Sequence, residues 1–181
     1  IAIVTDSGAD FDTEKYFDVF VVPVRYSFGK QDYIDKVSQS ISDFYIELKT
    51  NPIHPKTSQP TPGDFRRQYQ YLNFYYNSII SIHIPEKLSG TYQSASVAAK
   101  NTSGANITVI DGKNMSVGLG LLIEKIATLI NNSELNHDET INLILSEHDY
   151  KGNILKIIHI LSKNGIYYLY LRNFYLLHDF P

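Results

Sequence analysis

Short apolar runs alternate with longer amphipathic segments along most of this chain. The apolar runs are rich in β-branched residues and have the length of strands. The segments between and after them repeat apolar residues at helical spacing. This alternation predicts an α/β fold, with a mostly parallel sheet flanked by helices. The predicted strands lie at Ile1–Val4, Val19–Val24, Ser78–Ile84 and Ile107–Ile110.

Capping residues and prolines set the boundaries of the predicted elements. The hydroxyl of Ser42 can cap a first helix, and Thr61 followed by a proline predicts the start of a second. Pro23 predicts an edge or irregular position for the second strand, and residues 26–33 have the pattern of a hairpin or flap. Further helices are predicted at 92–100, at 117–129, and from Asp138 to Leu161 with a break near Lys151–Gly152.

Polar residues follow three of the predicted strands. Asp6–Ser7 comes after the first strand, Ser89–Gly90–Thr91 after the third and Asp111–Gly112 after the fourth. The carboxyl ends of parallel strands form the edge at which α/β sheets bind ligands. We therefore expect these residues to line one crevice, which the Thr57–Ser58 loop can reach from the side.

Two hydroxyl-rich turns, Thr57–Asp64 and Leu88–Ala95, each open a predicted helix. Helix N-termini carry unpaired N–H groups and a partial positive charge, so two of them facing one crevice form a site for a small anion. Gly90 would let a ligand approach the backbone closely. In the alternative interpretation, the loop hydroxyls bond to their own backbone and Ser89 simply caps its helix.

Catalytic interpretations rest on fewer residues. Ser89 could act as a nucleophile with His83 as its base, but His83 lies inside a strand and no third residue clearly orients it. Asp6 could bind a metal ion or act as a base, with Asp111 as its companion. Holding the adjacent loops is the simpler role for Asp6. The sequence thus favours binding an anion over transforming it.

The histidines and the helix glycines add no recognisable motif. The six histidines show no metal-ligand spacing, and we expect His137 and His148 to face solvent. Gly118 and Gly120 lie in an apolar helix without the Gly-Lys-Ser/Thr of a phosphate loop, so they predict close packing.

Composition excludes several classes of protein. The formal net charge is −3 and the 16 basic residues are scattered, which argues against a nucleic-acid surface. The chain has no cysteine, hence no disulfide and no thiolate metal site. No signal peptide or bilayer-length apolar run is present, so we expect a cytoplasmic protein. Because Ile1 stands inside a strand, we also expect residues to be missing before it.

Seven motifs follow one another along the chain: Thr5–Ser7, Val22–Val24, Tyr33–Asp35, Thr57–Phe65, Leu88–Ala95, Val109–Asp111 and Ser116–Gly120. The Thr-Ser-Gln-Pro and Leu-Ser-Gly-Thr-Tyr motifs are specific in combination. With these motifs in this order, the chain resembles the DegV family of bacterial fatty-acid-binding proteins from Ile1 to about Ile130.

The resemblance implies a two-lobed α/β protein that holds one long-chain fatty acid. Residues 1–155 would form the first lobe, and 156–181 the start of a truncated second lobe. The carboxylate would meet hydroxyls between the lobes, while the tail enters an apolar tunnel. Such proteins present the fatty acid to a separate fatty acid kinase, for phospholipid synthesis. The resemblance implies a non-enzymatic protein without a cofactor or metal ion, and we expect at most transient membrane contact.

Carried over by motif, Thr57 and Ser58 would meet the carboxylate from the first turn, and Ser89 with Gly90 from the second, with Thr91 as a further candidate. Two other functions remain open. One is a phosphotransfer or sugar-phosphate enzyme domain that uses Asp6 and Asp111. The other is a degenerate fragment that binds no lipid and self-associates through the aromatic segment 167–177.

Overall fold

The computed structural model describes residues 1–133 and 135–148. The chain divides into two compact units, Ile1–Asn142 and Leu143–Pro181. In the second unit only the end of one helix is described. The predicted lobe boundary at 155, the helix predicted to reach Leu161 and the aromatic segment 167–177 lie outside the described residues.

A parallel sheet of four strands forms the centre of the first unit. The strands are β1 (Ala2–Asp6), β2 (Val19–Val22), β6 (Ile79–His83) and β7 (Ile107–Asp111), in the order β2-β1-β6-β7. Every residue of β1 and β6 is buried. Strands covered on both faces are rich in apolar residues, which explains the apolar starts of both strands, Ala2–Val4 and Ile79–Ile80. The prediction of an α/β fold is confirmed, as is the edge position of β2.

Five helices surround the strands in the described residues. Their bounds are α1 (Ile41–Thr50), α2 (Pro62–Leu72), α3 (Thr91–Lys100), α4 (Ser116–Ser133) and α5 (His137–His148). Helix α2 buries Phe65, Tyr69 and Leu72, the apolar stripe that helical spacing places on one face. These side chains join a core with α3 and the main sheet, made of Ala2, Val4, Val22, Phe65, Tyr69, Leu72, Ile79, Ala95 and Ala98.

A second, antiparallel sheet stands beside the main one. It contains β3 (Arg25–Phe28), β4 (Gln31–Ile34) and β5 (Lys56–Ser58), in the order β4-β3-β5. Gly29 has a φ of 64°, which suits the tight turn between β3 and β4 and confirms the predicted hairpin. The segment with Thr57 and Ser58, predicted as a loop, is instead strand β5. Pairing with β3 supplies the backbone hydrogen bonds that make it a strand.

Two predicted helix starts have different outcomes. Helix α2 begins as expected: the hydroxyl of Thr61 accepts from the Asp64 N–H, and the Asp64 carboxylate accepts from the Thr61 N–H. The prediction for α1 was wrong by two residues. Ser40 caps this helix by accepting from the Asp43 N–H at 3.1 Å, and Ser42 lies inside the first turn.

Candidate functional site

A buried polar cluster connects the carboxyl ends of β1 and β6. The carboxylate of Asp6 accepts hydrogen bonds from the N–H groups of Gly8 (2.9 Å) and Ile84 (3.1 Å). Its Oδ2 also lies 2.9 Å from Nδ1 of His83, and both side chains are fully buried. Asp6 therefore joins the turn after β1 to the turn after β6. This arrangement agrees with the loop-holding role expected for it.

A chain of buried hydrogen bonds extends this cluster to Ser81 and Tyr69. The Tyr69 hydroxyl donates to Oγ of Ser81 (2.7 Å), which lies 2.6 Å from Nε2 of His83. Burial raises the pKa of Tyr69, so the phenol keeps its proton.

The cluster does not form a nucleophilic site with Ser89. His83 bonds to Ser81, two residues earlier on the same face of β6, and its orienting partner is Asp6. All three side chains are buried, so a substrate has no access to them. The sequence did not predict that Ser81 and Tyr69 belong to this cluster. The spacing of two residues between Ser81 and His83 does place both side chains on one face of a strand, and this was a usable signal.

The N-terminus of α3 has no side-chain cap at its N-cap residue, Gly90. The Ser89 hydroxyl lies 2.9 Å from that of Thr91 and accepts weakly from the Thr91 N–H at 3.3 Å. Thr91 is fully buried, whereas Ser89 and Gly90 are partly exposed. The first turn of α3 thus presents amide groups and one accessible hydroxyl to an anion.

The N-terminus of α2 is the other predicted anion site, but the capping box of Thr61 and Asp64 occupies it. The negative charge of the Asp64 carboxylate disfavours a second anion beside it. The pKa of Asp64 is lowered overall. Burial acts to raise it, but hydrogen bonds from Thr61 and the charges of Arg25 and Arg67 outweigh burial. Of the two helix ends, only that of α3 suits the predicted site.

The side chain of Gln59, in the first hydroxyl-rich turn, contacts Gly90 in the second. A Cβ atom at Gly90 would lie 2.6 Å from Cδ of Gln59, so the carboxamide packs directly on the glycine. The space that Gly90 was expected to leave for a ligand holds this side chain instead. Gln59 stands between the predicted residues of the first motif and the turn of α3. It was missed because its neighbour lies 31 positions later in the sequence.

Thr57 and Ser58 do not point the same way. In the register of the small sheet, Thr57 is opposite Tyr26 and Ser58 is opposite Arg25. Successive side chains of a strand point to opposite faces, so the two hydroxyls lie on different faces of this sheet. Both residues are exposed. A single carboxylate can therefore meet one of these hydroxyls, together with backbone groups of the other residue.

Asp111 is the last residue of β7, and its carboxylate is engaged by hydrogen bonds within the turn that follows. It accepts from the Lys113 ammonium at 2.7 Å and from the Lys113 N–H at 3.0 Å. Burial acts to raise the pKa of Asp111, but these bonds and the charge of Lys113 lower it overall. Residues 1–133 and 135–148 contain no group of three His, Asp or Glu side chains that could hold a metal ion.

His137 does not face solvent as expected. It is partly buried, and its Nε2 lies 2.8 Å from the Thr108 hydroxyl of β7. Burial lowers the pKa of this imidazole. The side chain of His148 lies outside the described part. None of the helices in the described ranges is both long and apolar enough to cross a bilayer.

Comparison with known proteins gives consistent matches. The family model described as "Uncharacterised protein, DegV family" matches residues 1–161. The DegV domain-containing protein CPE1310 of Clostridium perfringens is 39% identical over 133 residues, which are 72% of this chain and 47% of the relative.

Two solved structures share the fold. One is DegV of Bacillus subtilis, described as a fatty acid binding protein, with a TM-score of 0.76 and 28% identity over 80% of this chain and 52% of the other. The second is the Fatty Acid Kinase (Fak) B3 protein of Streptococcus pneumoniae, loaded with linoleic acid. It has a TM-score of 0.70 and 25% identity, over 80% of this chain and 53% of the other. The chain spans about half the length of these three proteins.

Proposed function

The chain belongs to the DegV family, and on this premise we propose that it binds one long-chain fatty acid, with the carboxylate at the turn that begins α3. The observation that carries the proposal is the first turn of α3, where Gly90 makes no side-chain cap, Ser89 is partly exposed and the polar carboxamide of Gln59 packs on Gly90. Relatives described as fatty acid binding share this fold.

Each residue of the turn has a distinct role in the proposal. If the Thr91 hydroxyl donates to Oγ of Ser89, the Ser89 proton is free for the carboxylate. Thr91 then acts through Ser89, because it is fully buried. Gly90 contributes its backbone. From β5, the strand beside this turn, either Thr57 or Ser58 supplies a hydroxyl and the other supplies backbone groups.

Neutral hydroxyls and amides suit a fatty acid carboxylate. They stabilise the charge without the desolvation cost of burying a full opposite charge. The tail, in an apolar tunnel, would contribute about 0.8 kcal/mol for each buried CH₂. The head group therefore sets orientation, and the tail supplies most of the affinity. No cofactor or metal is needed for such binding.

We further propose that the protein presents its fatty acid to a fatty acid kinase for phospholipid synthesis. The likeness to a protein described under the name Fatty Acid Kinase B3 supports this role. The chain itself would be a cytoplasmic carrier, not an enzyme, with transient membrane contact. The rival enzyme would use Asp6 and Asp111, but three donors engage Asp6 and Lys113 engages Asp111.

Replacing Ser89 tests the head-group assignment. We expect Ser89→Ala to lower fatty acid affinity about tenfold to a hundredfold, because a hydrogen bond to a carboxylate contributes about 1.5–3 kcal/mol. The measurement is mass spectrometry of the organic extract, with a palmitate titration of the delipidated chain. Ser103→Ala, at an exposed serine of the turn after α3, is the matched control. Equal lipid content in all three proteins would contradict the assignment.

The same titration separates the two residues of β5. We expect only one of Thr57→Ala and Ser58→Ala to weaken palmitate binding, because their hydroxyls lie on opposite faces. Equal losses in both variants would show that β5 rearranges when the ligand binds.

A further inference from the structure

Among the described residues no strand pairs with the outer edge of β2, which borders a surface cleft of about 310 Å³. The cleft lies between β2, the start of β3, the end of β4 and the first half of α2. Its floor is apolar and its rim is charged. The lining residues are Val21, Val22, Pro23, Arg25, Ile34, Asp64, Arg67 and Gln68.

The pairing register shows which backbone groups face this cleft. The Ile3 N–H donates to the Asp18 carbonyl at 2.8 Å, so in the β1–β2 ladder Phe20 and Val22 point their backbone groups toward β1. The N–H and C=O of Val21 consequently point outward, and Val21 lines the cleft. The neighbouring outward positions offer carbonyl groups, because the Val19 N–H donates to the Tyr16 carbonyl at 3.4 Å and Pro23 has no N–H. A strand edge with outward backbone groups is a template for an extended chain, which adds as a further strand.

The charges at the rim favour an acidic ligand. Arg25 lies 3.5 Å from the Asp64 carboxylate, and Arg67 contacts the same oxygen. Two guanidinium groups thus share one carboxylate, which leaves one positive charge in excess among the lining residues. The side chains of Arg25 and Arg67 are 48% and 73% exposed, so both can reach a second carboxylate.

We propose that this cleft binds an extended, acidic peptide segment of a partner protein, which pairs with β2 and places a carboxylate against Arg25 and Arg67. The strand edge selects a peptide backbone over a free anion or a lipid. Alternate apolar side chains of the segment would rest on Val22 and Ile34. None of the proposed head-group residues lines the cleft, so the inference is independent of lipid binding.

An NMR titration of the full chain tests the proposal. The probe is the peptide acetyl-Thr-Val-Glu-Val-Glu-Val-amide, compared with the same peptide carrying lysine in place of glutamate. We expect the glutamate peptide to shift the amide signals of residues 19–22, 24–25 and 64–68 and to bind at least about tenfold more tightly than the lysine peptide. Equal binding of the two peptides, no binding up to millimolar concentration, or shifts confined to other residues would overturn it.

Variants separate charge recognition from strand pairing. Arg67→Glu should lower the affinity of the glutamate peptide about tenfold, whereas Arg66→Glu, on the same helix but outside the cleft, should leave it unchanged. A peptide with N-methylated ladder amides should not bind, because it lacks the donors for β2. Unchanged binding of either Arg67→Glu or the methylated peptide would refute the inference. Palmitate binding by Arg67→Glu should stay normal, so its loss would be a separate finding about the lipid site.

Discussion

At the scale of single residues, Asp6 carries the connection between the two central strands. Its carboxylate is fully buried and meets three donors, from Gly8, Ile84 and His83. Buried charges are stable only when such partners satisfy them. The turn after β6 leads directly to Ser89, so a fault at Asp6 would also disturb the proposed head-group turn.

Asp6→Asn should destabilise the fold by about 2–4 kcal/mol, because the amide nitrogen would face donors instead of accepting from them. Urea unfolding of the variant measures this loss. Asp12→Asn is the control: Asp12 also accepts a backbone bond, from Glu14, but at an exposed 3₁₀ turn. A loss at Asp6 no larger than at Asp12 would show that water or another group replaces the missing acceptor.

Asp64 makes the stability of the protein dependent on pH. Its pKa is lowered in the folded state by Thr61, Arg25 and Arg67 despite burial. A lowered carboxyl pKa stabilises the fold above the unfolded pKa, and this contribution disappears as the pH falls through the folded pKa. Asp64→Asn should therefore cost about 1–2 kcal/mol at neutral pH and progressively less as the pH falls from the unfolded value of 3.8 through the lower folded pKa. Urea unfolding of both proteins at pH 7 and pH 3 tests this; a cost that does not change with pH would contradict it.

At the scale of elements, α4 is fastened to the turn after β1. The Asp10 carboxylate accepts from the Ser116 hydroxyl at 2.8 Å and from the Lys36 ammonium at 2.8 Å. The N–H of Ser116 also donates to the Gly8 carbonyl at 2.7 Å. A Cβ at Gly120 would collide with the Asp10 carbonyl oxygen, so the helix approaches the turn closely only because this position is glycine.

Two glycine substitutions in α4 distinguish close packing from helix propensity. Alanine usually stabilises a helix interior by about 1 kcal/mol relative to glycine. Gly120→Ala should nevertheless destabilise the protein by about 2 kcal/mol or more, because backbone atoms must move. Gly118→Ala should be nearly neutral, since its Cβ would meet only the Asn114 side chain, at 3.2 Å. Thermal unfolding of both variants decides between the two effects, and a stable Gly120→Ala protein would contradict the close-packing account.

At the scale of the whole molecule, ligand binding should stabilise the folded chain. A ligand that binds only the folded state raises the free energy of unfolding by about 2.7 kcal/mol at a concentration of 100 Kd. The melting temperature of delipidated protein should therefore rise with palmitate concentration, and Ser89→Ala should require more palmitate for the same rise. If saturating palmitate left the melting temperature unchanged, the chain would not bind this fatty acid when folded.

The sequence was sufficient for features that depend on local chemistry. The apolar runs predicted the four parallel strands, Pro23 predicted the edge strand, and Thr61–Pro62 predicted the start of α2. These signals succeed because strand burial and helix capping act over a few neighbouring residues. The order of the motifs also predicted the family, although the head-group residues themselves remain a proposal.

Only the tertiary structure decided which distant groups meet. Asp6 and His83 are 77 positions apart, and the strand that carries Thr57 exists because β3 pairs with it. Likewise, nothing local to Gln59 indicates that it packs on Gly90. A single sequence shows that a residue can accept or donate a hydrogen bond. Its partner is chosen by the packing of strands and helices, which depends on the whole chain at once.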